Sequence, residues 1–192
     1  MATLEEILRR SLQPPRHKVF VSYHHANDEW DRFYFETLFA QSNDIMISKS
    51  VQIGDIDPNL KIATIRQKIR DEYLRDTTVT VVLIGKETWK RKHVDWEIGA
   101  SIHHTKLNPR SGLLGIFLPD HPDFGRDKYN RYIIPPRLHD NASCGYAALY
   151  DWSYDAETVA KRIDEAYERR FKVDPDDSYP SFTYNRSGES WY

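Results

Sequence analysis

The sequence predicts an α/β fold in which a five-stranded parallel sheet carries helices on both faces. Segments rich in β-branched residues alternate with segments whose apolar residues recur every three or four positions. Residues 78–84 are almost entirely apolar, as is typical of a central strand covered on both faces. The length of 192 residues suits one domain with short extensions.

The first predicted element is an amphipathic helix over residues 3–12. Thr3 and Glu6 form a capping box, and leucine and isoleucine side chains share one face. Two prolines then stop the helix. We expect residues 1–16 to form a helical extension that either packs on the domain or binds a partner.

Four elements are predicted between this helix and the central strand. They are a strand over 18–23, a helix over 28–40, a strand over 45–47 and a helix over 61–75. The strands are predicted by their β-forming side chains. The first of these helices is capped by Asn27 or Asp28 and carries aromatic residues on one side, and the second presents three isoleucines to a core.

Four more elements follow the central strand. They are a helix over 92–105, strands over 113–118 and 147–152, and a helix over 155–171. Apolar side chains about four residues apart predict both helices. Residues 119–146 are rich in Pro, Asp and Arg and predict a long loop. We therefore expect a domain over 17–172 and a polar tail over 173–192.

Composition restricts the classes of function. The net charge of −2, with 27 basic and 29 acidic residues and no basic stripe, does not favour nucleic acid as a partner. Cys144 is the only cysteine, which excludes an intrachain disulfide and a Cys-rich zinc site. No run of about 18 apolar residues predicts a membrane span, and no signal peptide is recognisable. We expect a cytoplasmic protein.

The ligand motifs that the sequence suggests at first sight are incomplete. Gly85 follows the central strand, but an earlier glycine is missing and Glu87 occupies the Ser/Thr position of a phosphate loop. Dinucleotide and flavin loops require glycine after the first strand, and none is present there. Residues 55–59 start like a calcium loop, but Leu60 replaces its turn glycine. The adjacent histidine pairs lack metal-binding spacing, so we expect no metal.

Glu97 is the candidate that carries chemistry. It lies in the helix after the central strand, and ligands of open α/β sheets bind beyond the carboxyl ends of the strands. The helical wheel puts it on the shoulder of the buried arc, where we expect an ionised carboxylate facing a partly dry cleft. Such a group could stabilise the positive charge that develops on a ribose when nicotinamide leaves NAD. The same position also fits a surface glutamate paired with Lys92 or its neighbours.

Two segments resemble TIR domains. Residues 19–23, Val-Phe-Val-Ser-Tyr, followed by Asp28, are similar to their opening strand. Residues 88–98 resemble the signature in which an aromatic–Cys pair precedes a Glu–hydrophobic pair; His93-Val94 replaces the first pair, and the spacing to Glu97 is kept. A third pattern is similar to one in the TIR-like proteins of the Thoeris antiphage defence system. It consists of Val-Leu-Ile-Gly at residues 82–85, Thr88, and Trp-Glu-Ile at residues 96–98. The resemblance covers residues 18–152.

This resemblance implies a flavodoxin-like TIR fold and an enzyme that consumes NAD as a substrate, without a cofactor. Glu97 would be the catalytic residue, and Trp96 would pack rather than catalyse. Five residues would bind the substrate, the first three of them in the nicotinamide-ribose pocket. They are Ser22, Tyr23 (by stacking), His24, Asp55 and Lys86.

The resemblance also implies partners and a product. TIR proteins of this type are implied to convert NAD into a cyclic ADP-ribose isomer that activates a separate effector protein. Self-association through the TIR domain is implied as well. The charge and hydropathy of the sequence, as noted above, indicate no nucleic acid and no membrane as partners. Two alternatives stay open. One is a non-catalytic TIR adaptor that acts by homotypic assembly, and the other is a nucleoside deoxyribosyltransferase-like enzyme, which uses a similar sheet and glutamate.

Overall fold

Five parallel strands form one sheet at the centre of the computed structural model, which describes residues 16–40, 45–48, 57, 59–105 and 108–191. The spatial order of the strands is β2-β1-β3-β4-β5. Their bounds are β1 His17–Ser22, β2 Ile45–Ile47, β3 Val79–Ile84, β4 Gly112–Phe117 and β5 Ala147–Asp151. The predicted five-stranded parallel α/β fold is confirmed.

Five helices connect and flank the strands in the described part of the chain. Their bounds are α1 Glu29–Phe39, α2 Ile62–Lys68, α3 Lys92–Ile102, α4 Pro136–Ser143 and α5 Ala156–Arg169. The α2 helix continues into a π-helical turn over Ile69–Tyr73. The α3 helix ends at Ile102, three residues before its predicted end, because the backbone of His103 is extended.

The long loop predicted over residues 119–146 is wrong in part. It contains a 3-10 turn at Arg131–Ile133 and the helix α4, which has a proline at its first position. Two of the residues that α4 buries, Arg137 and Asn141, are polar, so the segment lacks the apolar periodicity that marks a helix in a sequence.

The helices form two layers, and these layers bury the sheet on both faces. On one face α1 and α5 cover alternate residues of the strands, such as Val19, Val21 and Val81. On the other face α2, α3 and α4 cover the intervening residues, such as Phe20 and Val82. On this face the α3 helix lies between α2 and α4, and it contacts both β1 and β3.

The segment 173–191 has no helix or strand, and it packs across the outer side of α3. The indole Nε1 of Trp96 donates to the carbonyl of Phe182 (2.8 Å), and the Phe182 amide donates to Asp95 (2.9 Å). The side chain of Asn185 accepts from the Lys92 amide at the start of α3 (3.0 Å). This segment completes the burial of α3, all of whose residues from Val94 onward are buried.

Some sequence expectations concern residues that the structure does not describe. The predicted helix over 3–12 and Asp55 lie outside the described residues, and the division at residues 16 and 172 stays a prediction. Among the residues that are described, no helix has both the length and the apolar character needed to cross a membrane. The same part of the chain holds no group of three or more side chains placed to bind a metal ion.

Candidate active site at the carboxyl end of the sheet

Glu97 and Ser22 meet at the carboxyl end of β1. Ser22 is the last residue of that strand, and α3, which follows the carboxyl end of β3, brings Glu97 over it. The Ser22 hydroxyl donates to Glu97 Oε2 at 2.5 Å. Among the described residues, this is the hydrogen bond that fixes the orientation of the Glu97 carboxyl group.

Burial sets the charge of Glu97. Its side chain is 1% exposed, and this burial raises the pKa of the carboxyl to about 8, although the Ser22 hydroxyl acts in the opposite direction. Below that pH the protonated form predominates. The expectation that Glu97 lies on the half-buried shoulder of the helix is wrong, because helices and the carboxyl-terminal segment enclose α3 on the sides that the helical wheel left open. This burial disfavours the ionised form that the helical position had led us to expect.

A second buried carboxyl, Asp28, links the loops that follow β1 and β3. Asp28 is 1% exposed and accepts hydrogen bonds from the Thr88 hydroxyl (3.0 Å) and the His24 amide (3.3 Å). Thr88 Oγ in turn accepts from the Gly85 amide (2.9 Å). Burial raises the pKa of Asp28 to about 7. Asp28 precedes α1, but its side chain holds the two loops together instead of capping that helix.

Gly85 is required by this contact. A Cβ atom at position 85 would lie 2.5 Å from Asp28 Oδ1, well inside van der Waals distance. We expect Gly85→Ala to lower the free energy of unfolding by about 1–3 kcal/mol, because the added methyl displaces the Asp28 carboxyl. Denaturant unfolding measures this loss. In an Asp28→Ala background the loss should shrink, and an undiminished loss there would contradict the explanation.

Tyr23 and His24 follow Ser22 directly after the end of β1. The Tyr23 ring is buried in the core under α1 and α5, the face opposite Ser22, and its hydroxyl donates to Glu29 (2.7 Å). Burial raises the pKa of Tyr23 and lowers that of His24, which Arg91 lowers further. The His24 ring accepts from the Asn27 amide (3.2 Å) and is nearly buried. The Tyr23 hydroxyl is therefore directed to Glu29, and the charge of Glu97 makes only the smallest contribution to the raised pKa of Tyr23.

Lys86 is exposed beside a separate cavity of about 200 Å³, lined also by Lys90 and Trp89. That cavity adjoins the loop after β3 rather than the Ser22–Glu97 contact. Of the predicted substrate-binding residues, only Ser22 touches Glu97 in the described part of the chain.

Two histidines at this end of the sheet were missed by sequence reasoning. His93 lies one helical turn before Glu97, and burial, Lys92 and Arg91 lower its pKa to about 4. His25 stacks on Tyr23, with 4.4 Å between ring centroids, and burial lowers its pKa as well. Both rings are therefore neutral at physiological pH. The four-residue spacing between His93 and Glu97 is the signal that could have revealed the first of them.

Comparison with known proteins identifies the family. The model of the family described as "Thoeris protein ThsB, TIR-like domain" matches residues 20–123, more than half of the 192-residue chain. Among solved structures, the chain is similar to the TIR domains in the activated Roq1 resistosome that directly recognises the pathogen effector XopQ. The identity is 14%, the match covers 87% of this chain and 92% of that one, and the TM-score is 0.36. A search of curated proteins found no match. By its match to the family model, which includes Ser22, Asp28, Thr88 and Glu97, this chain belongs to the family of the TIR-like domain of Thoeris protein ThsB.

Proposed function

We propose that this protein cleaves the bond between nicotinamide and ribose in NAD, with Glu97 as its catalytic residue. One observation carries the proposal: a buried carboxyl group lies at the carboxyl end of the sheet, where the Ser22 hydroxyl donates a hydrogen bond to one of its oxygens. Ligands of open parallel sheets bind at this end. Membership of a TIR-like family supports the same chemistry.

The buried position of Glu97 suits a cationic substrate. The nicotinamide ring of NAD carries a positive charge, and a cation next to a carboxyl favours the ionised form. Binding would therefore draw the carboxylate into its charged state at the reacting centre, away from water. As the C–N bond breaks, its electron pair leaves with neutral nicotinamide, and the carboxylate stabilises the positive charge that develops on the ribose.

The product depends on the nucleophile that then bonds to the ribose carbon. Water would give linear ADP-ribose, whereas a nitrogen of the adenine base would give a cyclic isomer. In both cases the nucleophile's proton is released to solvent. The Thoeris assignment of the family favours the cyclic product, made in the cytoplasm as a signal for a separate effector protein in antiviral defence. NAD is then a substrate and not a cofactor, and self-association would accompany activity.

The experiment incubates the purified full chain with NAD over a range of protein concentrations and measures free nicotinamide by chromatography. Release of nicotinamide is the expected result. The mass of the other product distinguishes the cyclic isomer from linear ADP-ribose, because the two differ by one water. Unchanged NAD at every concentration would favour a non-catalytic adaptor, and base exchange between nucleosides without loss of NAD would favour the deoxyribosyltransferase alternative.

The pH dependence of kcat/KM should report the titration of Glu97 in the free enzyme. If the ionised form is required, kcat/KM falls about tenfold for each pH unit below about 8 and levels off above it. Ser22→Ala should move this limb to higher pH, since it removes the hydrogen bond that lowers the pKa of Glu97.

Two features make this measurement specific. Asp28 also titrates nearby, at about 7, but it makes no hydrogen bond with Ser22. The control variant is Ser101→Ala on the same helix, whose hydroxyl donates to the Ile98 carbonyl and should leave the limb unmoved. Identical limbs in wild type and Ser22→Ala would remove Glu97 as the titrating group.

A further inference from the structure

A second cavity lies between α2 and α3, toward the end of α3 remote from its start. Its volume is about 430 Å³, and its lining includes Arg66, Gln67 and Arg70 from α2 and the turn that follows it, His103 after α3, and Asp177 from the carboxyl-terminal segment. His103 follows Glu97 by six residues, which corresponds to about 9 Å along a helix axis. The cavity is therefore separate from the proposed NAD site.

Arg66, one of the two arginines that line the cavity, is paired with a carboxylate. Arg66 Nη2 donates to the Gly99 carbonyl (2.6 Å) and to Asp177 (2.8 Å). Asp177 also accepts from Arg137, so its charge already faces two guanidinium groups. Asp177 therefore acts on Arg70 only at longer range, through its charge and without a direct ion pair.

Arg70 is the guanidinium that lacks a carboxylate partner. Its side chain is 7% exposed, and Nη1 donates to the His103 carbonyl. Within residues 59–105 and 108–191 and the other described ranges, no carboxylate lies within ion-pair distance of Arg70 and no other acceptor takes its remaining N–H groups. The neighbouring Asp71 accepts instead from the Asn108 side chain (3.2 Å). Burial lowers the pKa of Arg70, and Asp71 opposes this shift more than Arg66 adds to it. Neither Asp71 nor Asp177 forms a direct ion pair with Arg70, so its free N–H groups can still donate to an anion in the cavity.

We propose that this cavity binds a single phosphate group, either as inorganic phosphate or as a phosphate monoester. Arg70 would supply two parallel N–H donors, the geometry with which guanidinium groups bind phosphate oxygens. The Gln67 amide, on the same wall, offers a further donor. Asp71 and Asp177 border the same space and repel additional negative charge, which favours one phosphate over a polyphosphate chain. The proposal does not depend on NAD cleavage.

Calorimetric titration of the full chain with inorganic phosphate tests the proposal. Saturable binding is expected, and chloride at equal ionic strength should not compete for the site. Arg70→Gln should weaken binding about tenfold or more, as expected for lost hydrogen bonds to a charged group. The matched control is Arg75→Gln, an exposed arginine beyond the π-helical turn, which should bind phosphate like the wild type.

Further variants and probes distinguish a loss of phosphate binding from misfolding and identify the ligand. Arg70→Lys retains the charge without the two-pronged geometry and should bind with intermediate affinity. Its thermal unfolding and that of Arg70→Gln are measured alongside, so that a misfolded variant is recognised. Adenosine monophosphate binding more tightly than phosphate would identify a monoester as the ligand, and equal binding would identify the phosphate group itself. Absence of saturable phosphate binding by the wild type, or equal binding by wild type and folded Arg70→Gln and Arg70→Lys, would overturn the proposal.

Discussion

Replacing Glu97 with glutamine is expected to lower kcat for NAD cleavage by at least about 100-fold. Glutamine has nearly the same shape and can still accept the hydrogen bond from Ser22, but it cannot supply the negative charge that stabilises the developing positive ribose. Released nicotinamide, measured at saturating NAD, gives kcat directly. KM should change much less, because the lost interaction belongs to the transition state.

The control for this substitution is Glu72→Gln, an exposed glutamate that lies on the π-helical turn and should keep full activity. Loss of fold would not explain the inactivity of Glu97→Gln. The pKa of Glu97 is raised from 4.5 to about 8 in the folded protein, so its burial lowers the free energy of unfolding progressively as pH rises through that interval. Glutamine has no such dependence, and the variant should gain stability over the wild type between pH 5 and pH 8. Equal turnover by both proteins would remove Glu97 from the mechanism.

Replacing Arg137 with methionine is expected to lower the free energy of unfolding by about 3–5 kcal/mol. Arg137 is fully buried and donates to the buried carboxylate of Asp95 at 2.9 Å and to the carbonyl of Tyr179 at 2.7 Å. Without it Asp95 is left as a buried, unpaired charge two residues before Glu97. Denaturant unfolding monitored by tryptophan fluorescence measures the loss.

A second variant separates the unpaired charge from lost packing. Asp95→Asn combined with Arg137→Met removes both charges and should recover part of the stability. The surface control is Arg126→Met: Arg126 is well exposed and lies 3.6 Å from Asp123, and its loss should cost no more than about 1 kcal/mol. A loss for Arg137→Met no larger than for this control would contradict the structural role of the buried pair.

Much of the fold could be predicted because the amino-acid composition of each strand is by itself typical of a β-strand. Residues 78–84 were predicted as a central strand and β3 spans Val79–Ile84, since a run of β-branched residues buried on both faces has few alternatives. The helix α4 could not be predicted in this way. Its buried Arg137 and Asn141 satisfy their donors on Asp95 and on the backbone of Asp176, which lie 42 and 35 residues away along the chain.

In the candidate site, too, local sequence patterns predicted some features, whereas others depend on contacts between residues far apart in the chain. The helical wheel and the family pattern singled out Glu97, and strand order then brought it to Ser22. Its complete burial depends on contacts that no local pattern contains, such as the bond from Trp96 to Phe182, 86 residues later. The link between Asp28 and Thr88 joins residues 60 apart and was missed for the same reason.

The claim that Glu97 meets the ribose of NAD is tested most directly by a crystal structure of the Glu97→Gln variant with NAD bound. The expected result places the amide of residue 97 within about 2.6–3.2 Å of a hydroxyl on the nicotinamide ribose, with the Ser22 hydroxyl beside it. NAD seated on another surface, with that ribose out of reach of residue 97, would contradict the proposed mechanism.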